Sequence, residues 1–96
     1  MVSVWMLLTG IFFSGCADSG RELFYRQGCK NCHLFQGEGG MLGPDLTAVA
    51  QRRSRNWIDK YLQNPVTENS RARMPSFSHL SWGERRALID FLYMKR

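Results

Sequence analysis

The chain has 96 residues, with thirteen Lys and Arg against eight Asp and Glu, for a formal net charge of +5. That length suffices for one domain with a thin apolar core, and so small a core needs a staple. Every charged residue lies after Gly15, so the polar part of the chain carries the whole excess of positive charge.

Val2 to Gly15 is an uncharged run of apolar and small residues, broken only by Ser3, Thr9 and Ser14. It is short for a membrane span and suits the apolar region of an export signal. It ends at Phe13-Ser14-Gly15-Cys16, which resembles a bacterial lipobox. In such signals the Cys becomes the mature N-terminus and carries lipid. Phe13 stands where Leu is usual, and Met1 to Thr9 lacks the expected basic residues. An upstream start or an uncleaved anchor are the alternatives, and an incidental thiol is the plainer reading of Cys16. The expected division is a lipoprotein-type signal peptide over 1–15, a tether over 16–19 and one domain over 20–96.

Ser19-Gly20-Arg21-Glu22 has the S-x-x-E pattern of a capping box and predicts a helix start. Leu23 and Phe24 give that helix an apolar side, and Gly28 can close it. It delivers the chain to Cys29-Lys30-Asn31-Cys32-His33. Two thiols three apart, with an imidazole directly after the second, is the spacing for covalent haem attachment. Each thiol adds across one porphyrin vinyl group and becomes a thioether. His33 then lies under the ring and can bond the iron through Nε2. A thioredoxin-like dithiol needs a βαβ setting, and no such strand pattern surrounds Cys29. A zinc site needs four ligands, and only His79 remains, far along the chain. Covalent haem would supply the staple. Its attachment takes place outside the cytoplasm, in agreement with an export signal. No cysteine is then left for a disulfide.

Gly37 to Pro44 holds four glycines and predicts a loop. It lacks a Lys-Ser/Thr ending and follows no predicted strand, which argues against a phosphate cradle. Pro44 closes it as a stiff turn. Its carbonyl is a candidate acceptor for the His33 Nδ1 proton, and an ordinary turn is the other reading. Leu46 to Ala50 can form a short helix. Gln51-Arg52-Arg53-Ser54-Arg55 is either a solvated basic face or a source of guanidinium for a haem propionate. Ser54 can cap the next helix, where Trp57 and Tyr61, and Ile58 and Leu62, lie four apart. Trp57 reads as core, with an indole N–H able to reach a propionate. Asn64-Pro65 ends that helix, and Val66 to Ser78 reads as irregular chain around Met74. Ser81-Trp82-Gly83-Glu84 is a second capping box. Leu88, Ile89, Phe91 and Leu92 then mark the apolar face of a last helix.

A methionine thioether on the far side of the iron favours the ferrous state. Met1 and Met6 lie in the signal, Met41 is only eight residues past His33, and Met94 ends a helix. Met74 lies 41 residues past His33, in a loop able to wrap the ring. Elimination puts Met74 first and His79 second.

With these residues assembled, the chain resembles a small monohaem class I c-type cytochrome. The matching features are Gly20 and Phe24, then Cys29-x-x-Cys32-His33, then Gly43-Pro44-Asp45-Leu46. Trp57 with Asn64-Pro65, Arg73-Met74-Pro75 and Leu88-Ile89-Asp90-Phe91-Leu92 follow in family order. The resemblance implies an all-α fold, with three main helices and loops wrapped around one covalent haem c. It implies that the first and last helices cross near Phe24 and Phe91. It also implies His33 and Met74 as axial iron ligands, the Pro44 carbonyl as partner of His33, and Arg53 and Trp57 near a propionate.

The function expected is single-electron transfer in an extracytoplasmic redox chain of a bacterium. Six-coordinate iron leaves no position for substrate, and no separate acid–base constellation is present, so the chain is not read as an enzyme. The alternative is a small-ligand sensor or enzyme subunit in which Met74 dissociates. The expected protein is a monomer, lipid-anchored on the periplasmic side, that meets redox partners through an acidic surface of theirs. An exported chain with Arg spread among haem elements argues against nucleic acid, despite the basic charge.

Overall fold

The computed structural model describes residues 19–94. Val2–Gly15 and Cys16, on which the signal and lipidation expectations rest, lie outside them. Among the described residues no helix is long and apolar enough to cross a membrane.

Helix α1 runs over Gly20–Arg26. The Ser19 hydroxyl accepts from the Glu22 N–H at 3.1 Å, which starts the helix. Only half of the expected capping box forms here, because Glu22 takes the Ser19 hydroxyl at 3.3 Å. Gly28, at φ 84°, turns the chain directly into α2, Cys29–Cys32. A hairpin that the glycine pattern concealed follows, with β1 at Leu34–Phe35 paired antiparallel to β2 at Glu38–Gly39. Its tight turn holds Gln36 at φ 53° and Gly37 at φ 86°. Strands of two residues carry no readable alternation, so periodicity could not reveal them.

Helix α3 is Val49–Arg52, shifted C-terminally from the expected 46–50. Helix α4, Arg55–Gln63, starts where Ser54 Oγ accepts from the Trp57 N–H at 3.1 Å. Pro65 opens a further turn, α5, Pro65–Glu68, within chain expected to be irregular. Pro suits a first helical position because it has no N–H to leave unpaired. Helix α6, Trp82–Leu92, has a complete capping box. The Glu84 N–H reaches Ser81 Oγ at 3.1 Å, and the Ser81 N–H reaches Glu84 Oε1 at 2.8 Å. Such a cap contributes roughly 1 kcal/mol.

The core forms where α1 lies against α6. Leu23 and Phe24 meet Leu88, Ile89, Phe91 and Leu92, all buried. Phe24, Phe35 and Phe91 form a triangle of rings with centroids 5.1–5.8 Å apart. Phe35 thus ties the chain just past His33 to the helix pair. Aromatic contacts of this kind add about 1 kcal/mol each beyond area burial. Helix α4 adds Ile58 and Leu62. The Phe77 N–H donates to the Leu62 carbonyl at 2.7 Å and docks the Met74 loop on α4. Arg85 secures the same region from α6. Its Nε reaches Asp59 at 2.7 Å and its Nη1 the Leu80 carbonyl at 2.7 Å.

Candidate functional site

One turn of helix carries both thiols. Cys29 faces inward and is buried, whereas Cys32 faces outward and is exposed. Burial, with a smaller push from Cys32, raises the Cys29 thiol to about 11 against a backbone hydrogen bond that lowers it. A dithiol built for disulfide exchange has its thiol lowered instead. Zinc fits no better: among the described residues no group of three His, Cys, Asp or Glu is placed to hold a metal ion.

His33 follows at the end of α2 in extended backbone, φ −111° and ψ 132°. Its Nδ1 lies 2.8 Å from the Pro44 carbonyl oxygen. A carbonyl only accepts, so Nδ1 carries the proton, and in the neutral ring Nε2 is the nitrogen left with a lone pair for a metal. The imidazole packs on Gly43. A β-carbon there would stand 2.6 Å from Cε1 and 2.8 Å from Nδ1, so only glycine leaves room for the ring. The Gly43 N–H donates to the Cys32 carbonyl at 2.7 Å and holds the cradle against the motif.

These residues fit a covalent haem by the chemistry of their donors. Two unpaired thiols share one turn, and the adjoining imidazole is held with its metal-binding nitrogen free.

Met74, the expected ligand of the opposite face, is half-buried and packs against the core, as does Trp57. His79, the second choice, has Nε2 within 3.1 Å of Gln27 Oε1. That bond engages the nitrogen it would otherwise offer to iron. The arginine run is divided among separate tasks. Arg53 lies over the Trp57 ring, 4.1 Å from its centroid, and Trp57 stacks on Tyr61 at 4.9 Å. The two residues expected near a propionate are therefore neighbours. Arg52 Nη2 donates to the Asp45 carbonyl at 3.0 Å. Arg55 pairs with Asp90 and covers the Tyr93 ring. The Tyr93 hydroxyl donates to the Arg53 carbonyl.

Asp45, which figures in the sequence only within Gly43-Pro44-Asp45-Leu46, and Thr47, unremarked there, both belong to the site. Asp45 Oδ1 accepts from the Thr47 N–H at 2.8 Å and from its hydroxyl at 2.6 Å. The Thr47 hydroxyl, more than its N–H, holds the Asp45 carboxyl below its ordinary range. The Asp-x-Thr spacing is itself a local turn signal that could have drawn notice.

A thiol pair on one turn, a carbonyl-anchored imidazole after it and a methionine loop docked on a helical core define a cytochrome c domain. The family described as cytochrome c oxidase, cbb3-type, subunit III matches residues 16–92, and the chain belongs to it. Membership implies covalently bound haem c with its iron. A nitric oxide reductase subunit of Paracoccus denitrificans is 31% identical over 85 residues, covering 76% of this chain and 54% of its own length. Its namesake from Halomonas halodenitrificans is 28% identical over 83 residues, covering 77% and 55%. A cytochrome c-553-like protein of Synechocystis sp. is 36% identical over 63 residues, covering 66% and 54%. The chain thus spans about half the length of the curated relatives it matches. No solved structure matches it.

Proposed function

We propose that residues 20–96 form a single-electron carrier with one haem c, attached through Cys29 and Cys32 and ligated by His33 and Met74. The observation that carries this reading is the anchored imidazole beside the paired thiols, with Nδ1 on Pro44 and Nε2 free. When bound, haem supplies an iron that gains or loses one electron. Cys29 and Cys32 would keep it from dissociating, and His33, its ring held by Pro44, would ligate the iron. Met74 would be the second protein ligand of the iron, keeping water and small ligands from it. Arg53 and Trp57 stand together to receive a propionate. The three longest helices, α1, α4 and α6, supply the frame. In this reading the chain carries electrons and performs no substrate chemistry of its own.

Residues 1–15 act as a lipoprotein-type signal, Cys16 carries lipid, and the domain works as a monomer on the periplasmic side of a bacterial membrane. Two relatives are named as nitric oxide reductase subunits. This favours a second reading, in which the domain serves a larger redox enzyme as its haem-bearing subunit. A subunit or sensor in which Met74 dissociates is a further form of that reading.

Denaturing mass spectrometry of the exported protein tests the first part: the expected mass is that of the chain plus one haem. Haem removed by acid and organic solvent would refute covalent attachment. Rapid carbon monoxide binding by the reduced protein at neutral pH would favour the ligand-binding reading over the carrier.

A further inference from the structure

We infer that Thr47, Asp45 and Arg52 are positioning residues for His33, acting through the Pro44 carbonyl to set how firmly it accepts the Nδ1 proton. This rests on the haem reading above and deepens it.

The chain after the thiols and the chain around Pro44 are laced together on both sides of the His33–Pro44 bond. The Gly43 N–H reaches the Cys32 carbonyl at 2.7 Å. The Leu46 N–H reaches the Leu34 carbonyl at 2.8 Å. The Gln36 N–H reaches Thr47 Oγ1 at 2.8 Å. Pro44 itself has no N–H with which to fix its place. The orientation of its carbonyl therefore depends on the peptide that follows, which belongs to Asp45.

Asp45 is held at both ends. Its carboxylate accepts the N–H and hydroxyl of Thr47, and its carbonyl accepts Arg52. The Thr47 hydroxyl gives its proton to Asp45 while accepting one from Gln36. Of the uncharged side chains of this size, only a hydroxyl can do both through one atom. Gln36 lies in the turn, outside the Leu34–Gly39 and Phe35–Glu38 pairs, so its N–H takes this acceptor and not a strand partner. Thr47 thus joins the segment that starts at His33 to the segment that holds Pro44. Arg52 adds a tie from α3.

A firmer N–H···O=C bond makes Nε2 a more basic ligand and favours ferric iron. Loosening the clasp should shift the equilibrium toward ferrous iron and expose the Nδ1 proton to exchange. A turn that only stabilised the loop would affect melting and leave both of these unchanged.

The experiment uses the intact haem-loaded protein. Thr47→Val removes both hydroxyl bonds, Thr47→Ser keeps them, and Arg52→Ala removes the tie from α3. The readouts are the reduction potential and, in the reduced protein, the exchange rate of the His33 Nδ1 proton by NMR. Thr47→Val should move the ferric/ferrous equilibrium about threefold toward ferrous, near 30 mV at 59 mV per tenfold for one electron. Exchange should quicken by about tenfold, in keeping with loss of roughly 1.4 kcal/mol of protection. Thr47→Ser should restore both values, and Arg52→Ala should move both in the same direction by less. A folded Thr47→Val protein with unchanged potential and exchange overturns the inference. Should that variant not fold, unchanged values in Arg52→Ala overturn it instead. A wild-type chain lacking covalent haem overturns the underlying haem reading, and this is seen before any variant is made.

Discussion

Gly20 and Ala87 approach so closely that a β-carbon on Gly20 would stand 2.0 Å from the Ala87 carbonyl oxygen. The same atom would lie 2.7 Å from Phe91 Cβ. The crossing of α1 and α6, and with it the packing of Phe24 on Phe91, depends on that missing side chain. Ordinarily Gly→Ala inside a helix stabilises by about 1 kcal/mol. Here the helices must part, and overpacking costs roughly 1–3 kcal/mol. Gly20→Ala should therefore lower the melting temperature by roughly 10 °C for a domain of this size. Thermal denaturation of the haem-loaded protein checks this, and a stabilised variant would contradict the close approach.

Acid should weaken the fold through Glu84 and Asp45. The Ser81 N–H, then its hydroxyl, holds the Glu84 carboxyl below its ordinary 4.5. The Thr47 hydroxyl, then its N–H, holds Asp45 below its ordinary 3.8. A carboxyl lowered in the folded state stabilises fully above its unfolded value, and that contribution fades as pH falls through the folded value. From these two groups the melting temperature should be level down to about pH 5 and fall below it. Glu84→Ala should lower stability near neutrality and shrink the acid-induced loss, as measured by melting curves across pH. An acid-induced loss of equal size in wild type and in a Glu84→Ala, Asp45→Ala double variant would exclude this origin.

Met74→Ala should open the iron to carbon monoxide and lower the reduction potential, because a thioether favours ferrous iron. The variant should still fold, since Met74 is half-buried at the margin of the core. Absorption spectra with and without carbon monoxide, together with a redox titration, measure the effect. An unchanged six-coordinate spectrum and potential would remove Met74 from the ligand set. His79→Ala would then be the next variant to make, because His79 is the second candidate ligand.

Arg71 and Arg73 lie just before Met74 in the chain and are exposed. Neither guanidinium has a partner among the described residues. Arg52, Arg53 and Arg55, by contrast, are engaged with Asp45, Trp57 and Asp90. Of these five, only Arg55 has its charge offset by a carboxylate, and we expect Arg71 and Arg73, beside Met74, to take part in steering toward an acidic redox partner. Exposed charges mainly raise the encounter rate. They are screened beyond about 8 Å at physiological ionic strength. The bimolecular electron-transfer rate should fall with added salt. Arg71→Glu with Arg73→Glu should slow it further and flatten its salt dependence, with the haem spectrum unchanged. A rate indifferent to salt would show that this surface does not guide docking.

Local chemistry was legible in the residue order. The thiol–imidazole spacing, the caps at Ser54 and Ser81 and the apolar faces of α4 and α6 all depend on residues a few positions apart. Such patterns arise from bonds and helical turns that the chain makes with itself, so they show in one dimension. Distant partnerships were mostly not legible in the residues themselves; the Phe24–Phe91 crossing was implied only by the family resemblance, and the Pro44 carbonyl was one of two readings. Phe35 belongs to the core because Phe24 and Phe91 converge on it from either side. Nothing beside it in the chain foretells that. The run Arg52–Arg55 reads as one basic patch, yet folding sends its members to a carbonyl, an aromatic ring and a carboxylate. Pro44 could be a plain turn until the loop over 43–47 is laid against 32–36, bringing its carbonyl to His33. Hydrogen bonds act only near 3 Å, and contact at that range between separated segments is created by packing.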